Sequence, residues 1–315
     1  MMALKIAVQM DPIESIKVHG DSTFVLMLAA QARGHSLYTY QPHDMYSEGQ
    51  ELRARVTAVT VHDNINHHVT KQDTEIVDLS NMDVVLMRQD PPFDMNYLTY
   101  TYLLENIHPR TLVINPPNTV RDCPEKLFVT HFAQHMPDTR ICYTLDHCEA
   151  FFDLHQDVIL KPLYAHGGND ILHATNKDSL VSAYSHITEK HPMPLMIQAF
   201  IEKVSEGDKR IIFINGEVAG AINRVPEKGN ILSNLVQGGS AEATQLSEKD
   251  IAICDTLSPI LKQKELMLVG IDVIDGFLTE INVTSPTGLW HINQLYDKNT
   301  GAMFWDAVEQ KLSNK

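Results

Sequence analysis

The run VGIDVIDGFLTEINVTSPT at residues 269–287 concentrates oxygen ligands in an apolar setting. Glu280 and Asn282 lie two apart, so in a strand both project to one face. A three-residue loop over 274–276 sets Asp272 opposite Leu278 and adds it to that face. A two-residue loop turns it away, so its membership depends on register. Two carboxylates and an amide suit Mg2+, which is held by few protein ligands and leaves positions for substrate phosphates. A solvated edge hairpin is the competing reading, and the apolar neighbours Ile271, Val273, Ile281 and Val283 weigh against it.

Two further groups complement an anion. Lys161 ends a strand just before a loop containing Gly167-Gly168. Glycine lets backbone N–H groups approach phosphate oxygens, and the ammonium adds a point charge. The loop lacks the GK[ST] of a Walker motif, and alone it is a common turn. Gly207-Asp208-Lys209-Arg210 opens a strand, and Arg224 ends the next. Paired arginines suit a phosphoryl group in transfer. Surface ion pairs are the plainer alternative, but the run RIIFIN argues for a buried strand.

These side chains need a scaffold. KIAVQM (5–10) reads as a strand, Ser22 to Arg33 as a helix capped by Asp21 or Ser22, and Ser36 to Tyr40 as a second strand. A β-α-β opening predicts a parallel sheet with a right-handed crossover. A polar, hairpin-rich insert follows to Val77. Strands at Val84–Arg88 and Leu112–Asn115 flank a helix at Tyr97–Asn106. Ligands collect at strand carboxyl ends in such sheets, which marks Arg88 and Asp90. From residue 122 the texture changes. A helix at Glu125–Phe132 is followed by strands at 158–163, 171–174, 195–198, 209–214 and 217–224. Asn215-Gly216 marks a tight hairpin. A helix at 247–264, a hairpin over 267–283 and a helix at 301–312 close the pattern.

The chain has 315 residues, enough for two or three lobes. Its net charge of −15 argues against broad nucleic-acid binding. No apolar run approaches the ~18 residues of a membrane span, and the N-terminus lacks a signal-peptide pattern. No membrane partner and a cytoplasmic location are expected. Cys123, Cys142, Cys148 and Cys254 form no CxxC and read as free thiols. His67-His68 reads as ordinary surface histidines rather than a metal site.

Together these residues resemble prokaryotic glutathione synthetases, a family of ATP-grasp ligases. The resemblance is carried by MDPI (10–13), DSTF (21–24), VLMRQDPPFD (85–94), PEKLF (124–128), VILKPLY (158–164), GDKRII (207–212), NRVP (223–226) and the VGIDVI/LTEINVTSPTG hairpin. It implies an α/β chain with a Rossmann-like domain over 1–122. ATP-grasp lobes follow over 123–195 and 196–315, with a lid loop at 226–243. Lys126, Lys161, Gly167 and Gly168 would meet the nucleotide phosphates. Gln198, Ala199, Phe200 and Ile201 would hold adenine, and Asp208 the ribose, with Lys209 beside it. Asp272, Glu280 and Asn282 would bind Mg2+ or Mn2+. Arg210 and Arg224 would steady the transferring phosphoryl group. Ser22, Arg88, Asn234, Ser285, Thr287 and Gly288 would position substrate. The implied reaction joins γ-glutamylcysteine and glycine through an acyl phosphate, releasing ADP, in a homodimer or tetramer. A sister ligase with another carboxylate and amine, or a nucleotide-binding relative that does not ligate, are the alternatives. Leu232, Ser240 and Trp290 stand where the family carries arginines, Ala165, before His166, where a glycine is common, and Asn169-Asp170 where small residues are usual.

Overall fold

Seven strands of the first sheet begin with β1 (Lys5–Gln9), and Ile6 to Val8 are fully buried. A strand covered on both faces reads as a continuous apolar run. The computed structural model describes residues 3–226 and 240–314. Helix α1 (Ser22–Ala32) starts where the Asp21 carboxylate accepts the Phe24 N–H at 2.7 Å. Then come β2 (Ser36–Tyr40), β3 (Met45–Glu48), β4 (Glu51–Val61), β5 (Val69–Asp78), β6 (Val84–Met87), α2 (Met95–Glu105), β7 (Leu112–Ile114) and α3 (Pro117–Asp122). The strand order is β3-β4-β2-β1-β6-β7, with β5 added to β4. β2-β1-β6-β7 are parallel, as the β-α-β opening required. The polar insert is the β3–β5 meander.

A short helix α4 (Glu125–Phe128) runs into a 3-10 turn through His135, so the helix expected over 125–132 is broken. The next unit holds β8 (Thr139–Cys142), α5 (Leu145–His155), β9 (Val158–Pro162), β10 (Leu172–Ala174), α6 (Lys177–Lys190) and β11 (Leu195–Ala199). Its antiparallel sheet runs β10-β9-β11-β8. β11 extends to Ala199, so this lobe's sheet passes the boundary expected at 195. The strand-pair reading overlooked α5 and α6. Leu180, Ala183 and Ile187 recur at helical spacing, are buried against β9 and β11, and follow an Asn176 cap.

The last sheet uses β12 (Asp208–Ile214), β13 (Glu217–Val225), β14 (Ser240–Ala243), β15 (Leu268–Ile274) and β16 (Phe277–Asn282), with α7 (Glu248–Gln263) between β14 and β15. Its order is β14-β13-β12-β15-β16. Helices α8 (Leu289–Tyr296) and α9 (Thr300–Ser313) then return to the first domain. The buried Trp305 ring nitrogen donates to Leu26 O at 2.8 Å. Asn115, just past β7, joins the first sheet to the last hairpin. Its amide donates to Leu268 O and Val283 O at 2.8 and 2.7 Å, and its oxygen accepts from Met267 N and Leu268 N.

Candidate active site

The β15–β16 hairpin decides the metal set. Its turn has two residues, Asp275-Gly276, with φ of +50° and +77°. That loop, in a regular ladder, would turn Asp272 away from Glu280. A bulge at Thr279 restores the phase: Val273 pairs with Leu278, but Asp272 pairs with Glu280 and Gly270 with Asn282. Leu278 and Ile281, three apart, thus both reach the core. The Thr279 hydroxyl donates to Asp272 O at 3.2 Å, inside the bulge. Asp272, Glu280 and Asn282 therefore share one face, and the Asn282 amide lies 3.5 Å from an Asp272 oxygen.

Around this ribbon the charges interlock. Arg210 grips Asp272 with Nε at 2.5 Å and Nη2 at 3.0 Å. Arg224 Nη2 reaches Asp272 at 2.9 Å and Asp208 at 2.5 Å. Burial alone would raise Asp272; the two guanidiniums outweigh it and bring it down to about 2. Burial, with Asp272 alongside, pushes Asp208 up to about 6 against the pull of Arg224. Lys126 donates to Glu125 at 2.7 Å and to Ala165 O at 2.8 Å, and stands 3.5 Å from Glu280. Burial opposes its charge, but both carboxylates together hold its ammonium above the usual lysine range. Lys161, buried to 7% exposure, is pushed down by that burial and held up by Glu280.

One cleft between the two antiparallel sheets collects most of the expected residues. Lys126, Lys161, Gly167, Gly168 and the 198–201 segment line it with Asp208, Arg210, Arg224, Asp272, Glu280, Asn282, Ser285 and Thr287. Ile159, Phe200, Ile201 and Val204 make its apolar end. Four expected residues lie off the cleft lining. Lys209 is one residue out of phase with Asp208 and Arg210, so strand alternation turns it away. Its ammonium sits on the buried Asp250 at 2.5 Å, which corrects its expected place beside the nucleotide. Ser22 is buried and its hydroxyl accepts the Leu289 N–H at 3.1 Å, beside the cleft rather than in it. Gly288, at φ +126°, caps α8 and is likewise behind the lining. Arg88 is buried behind Pro286, donating to Thr23 Oγ1 at 3.0 Å and Pro286 O at 3.1 Å. Asn234 and Leu232 lie outside the described residues. Sequence reasoning missed Glu125: an acid in a helix's first turn reads as a dipole partner, and nothing local shows that Glu280 comes to face it.

The comparisons with known proteins bear on the whole chain. Residues 4–121 match the model for the prokaryotic glutathione synthetase N-terminal domain, and residues 125–297 that for the prokaryotic glutathione synthetase ATP-grasp domain. The chain belongs to the prokaryotic glutathione synthetase family. Glutathione synthetases of Bradyrhizobium diazoefficiens and Rhodopseudomonas palustris are 49% and 48% identical to it over 311 residues, 98% of this chain and 99% of each relative. That of Yersinia pestis is 40% identical over 319 residues, covering 99% of both chains. Among solved structures, a D-cycloserine synthetase superposes with a TM-score of 0.70 at 15% identity, covering 98% of this chain and 99% of that one. An ATP-grasp RimK-domain protein of Sphaerobacter thermophilus gives 0.65 at 15% identity, covering 96% and 98%. These two share the fold. A member of this family is an ATP-dependent ligase, and the cleft between the two sheets is the clasp of the ATP-grasp fold.

Proposed function

We propose that the chain joins γ-glutamylcysteine to glycine at the expense of ATP, as its relatives' shared name suggests. The observation that carries the reading is one cleft holding Lys126, Lys161, Arg210 and Arg224 against Asp272, Glu280 and Asn282. The apolar end at Ile159, Phe200 and Ile201 suits adenine, with Gln198 and Ala199 lining it from the end of β11. Lys126, Lys161 and the Gly167-Gly168 backbone suit the phosphates, and Asp208 the ribose. The donor set of Asp272, Glu280 and Asn282 fits a hard cation: all three line the same cleft and are too few to saturate it, leaving room for phosphates. Mg2+ or Mn2+ held there would neutralise phosphate charge and orient the triphosphate. Asp272 is the pivot, since Arg210 and Arg224 already converge on it and so stand beside any group it helps to place.

The dipeptide's C-terminal carboxylate attacks the γ-phosphorus, giving an acyl phosphate and ADP. The glycine amine then displaces phosphate. The protein contributes position and charge rather than a covalent bond. Arg210 and Arg224 are fixed donors for the oxygens that gain charge. Among the described residues Arg88 Nη1 is buried without a hydrogen-bond partner. A buried guanidinium with an open donor suits a substrate carboxylate beside Pro286 and Thr287, and Ser285 adds a hydroxyl at the rim. Trp290, stacked on His19 with centroids 5.3 Å apart, replaces an expected arginine near this end. We further read the protein as a cytoplasmic homodimer or tetramer, by its family resemblance.

A coupled ADP-release assay tests the reading. Turnover that needs ATP, γ-glutamylcysteine and glycine together is the expected result. Release with a different acid and amine points to a sister ligase. Nucleotide binding without release across the panel points to a relative that does not ligate.

A further inference from the structure

The glycine loop has an attachment outside the cleft. Gly167 and Gly168 sit at φ of +67° and +80°, and Asp170 follows at +56°, a conformation that asparagine and aspartate tolerate best among residues with a Cβ. The Asp170 carboxylate faces three side chains, two imidazoles and an ammonium, from the end of α6 and the residue that caps it. His186 Nε2 lies 3.1 Å from Oδ1, Lys190 Nζ 2.9 Å from the same oxygen, and His191 Nε2 3.1 Å from Oδ2. These neighbours, Lys190 foremost, hold the Asp170 carboxyl well below the usual carboxylate range. A lone surface ion pair contributes little. Here three side chains converge on one carboxylate that ends a short loop, and the Lys190 ammonium also sits favourably at a helix C-terminus.

A glycine loop is conformationally permissive and loses more entropy than other segments when it is ordered. Any restraint acting before the ligand arrives removes part of that loss from binding. His166, Gly167, Gly168 and Ile171 line the cleft while Asp170 is attached, so the attached loop already stands at the nucleotide's expected place. We propose that Asp170 is a positioning residue: held by His186, Lys190 and His191, it fixes the glycine loop over the cleft ahead of ATP. The proposal rests on the nucleotide reading of that cleft.

The test uses the full chain with D170S, D170N and the triple variant H186Q/K190Q/H191Q, alone and combined. Folding is checked by circular dichroism. D170S and the triple variant are each expected to raise KM for ATP about fivefold, with kcat at saturating ATP retained. Their combination is expected to add nothing further, and D170N to fall between wild type and D170S. Equilibrium dialysis of ATP against the same proteins gives the comparison without turnover. A KM and Kd within about twofold of wild type in D170S overturns the proposal, as does an additive combined variant. If the wild type binds no ATP at all, the nucleotide reading falls first and takes the proposal with it.

Discussion

Glu125 sits in a place that its neighbour Lys126 only partly compensates. Burial pushes its carboxyl up to about 7, and Glu280 on the facing strand adds to the rise while Lys126 opposes it. The folded chain therefore keeps a proton that the unfolded chain gives up near a carboxyl's ordinary value of 4.5. Stability from this group is fully present below that value and is lost as pH rises toward about 7. Glu125→Gln removes the titrating group. Between pH 5 and 7.5 the wild-type melting temperature is expected to drop about 2–4 °C more than the variant's, by differential scanning fluorimetry without nucleotide. Equal slopes would remove Glu125 from the account. At this scale the sequence was most readable where chemistry is unusual. Acids and an amide at period two inside an apolar run, and arginine inside RIIFIN, have few structural uses. It was least readable for Lys209, whose neighbours Asp208 and Arg210 face the cleft while it faces Asp250. Three consecutive charged residues show no phase until the strand is paired.

The hairpin turn at Asn215-Gly216 was the local signal that held up as an element, and it adopts the positive φ its loop demands, as does Asp275-Gly276, whose loop length the sequence left open. The Thr279 bulge was not legible directly, although its trace is present: Leu278 and Ile281 are both apolar yet three apart, which no regular strand puts on one face. Helices α5 and α6 escaped because their apolar residues are sparse and their lengths modest, and their faces make sense only beside the sheet they cover. Helix contacts also set limits that the sequence does not announce. Gly301 is buried where α9 crosses α1; a Cβ there would meet Ala29 Cβ at 2.6 Å and Val25 O at 3.0 Å. Gly301→Val forces the two helices apart. The expected loss is about 2 kcal/mol, read as a lower urea midpoint at unchanged m. An unmoved midpoint would show that the crossing is slack.

Across the whole molecule, one buried polar side chain ties the first sheet to the last hairpin. Asn115 satisfies two carbonyls and two N–H groups of the last hairpin from a position at the end of β7. In the sequence it was merely the residue after LVI, since its partners lie about 150 positions away. Asn115→Ala leaves four buried groups without that partner, at an expected cost of about 3 kcal/mol or more. Calorimetry should then resolve a separate, earlier transition for the first domain. A single unshifted transition would mean that packing alone couples the domains.

Helix α9 bears on how the chain acquires its shape as it is made. Helix α1 presents Val25 and Ala29 to α9, and its Phe24 and Leu26 belong to the same core as Phe304, Trp305 and Val308. Some 280 residues of synthesis separate them. During translation the opening β-α-β unit can form its sheet but must wait, greasy side uncovered, until α9 leaves the ribosome. A chaperone that shields nascent hydrophobic surfaces should therefore cling to this amino-terminal unit late into elongation, and let go only when the final helix docks.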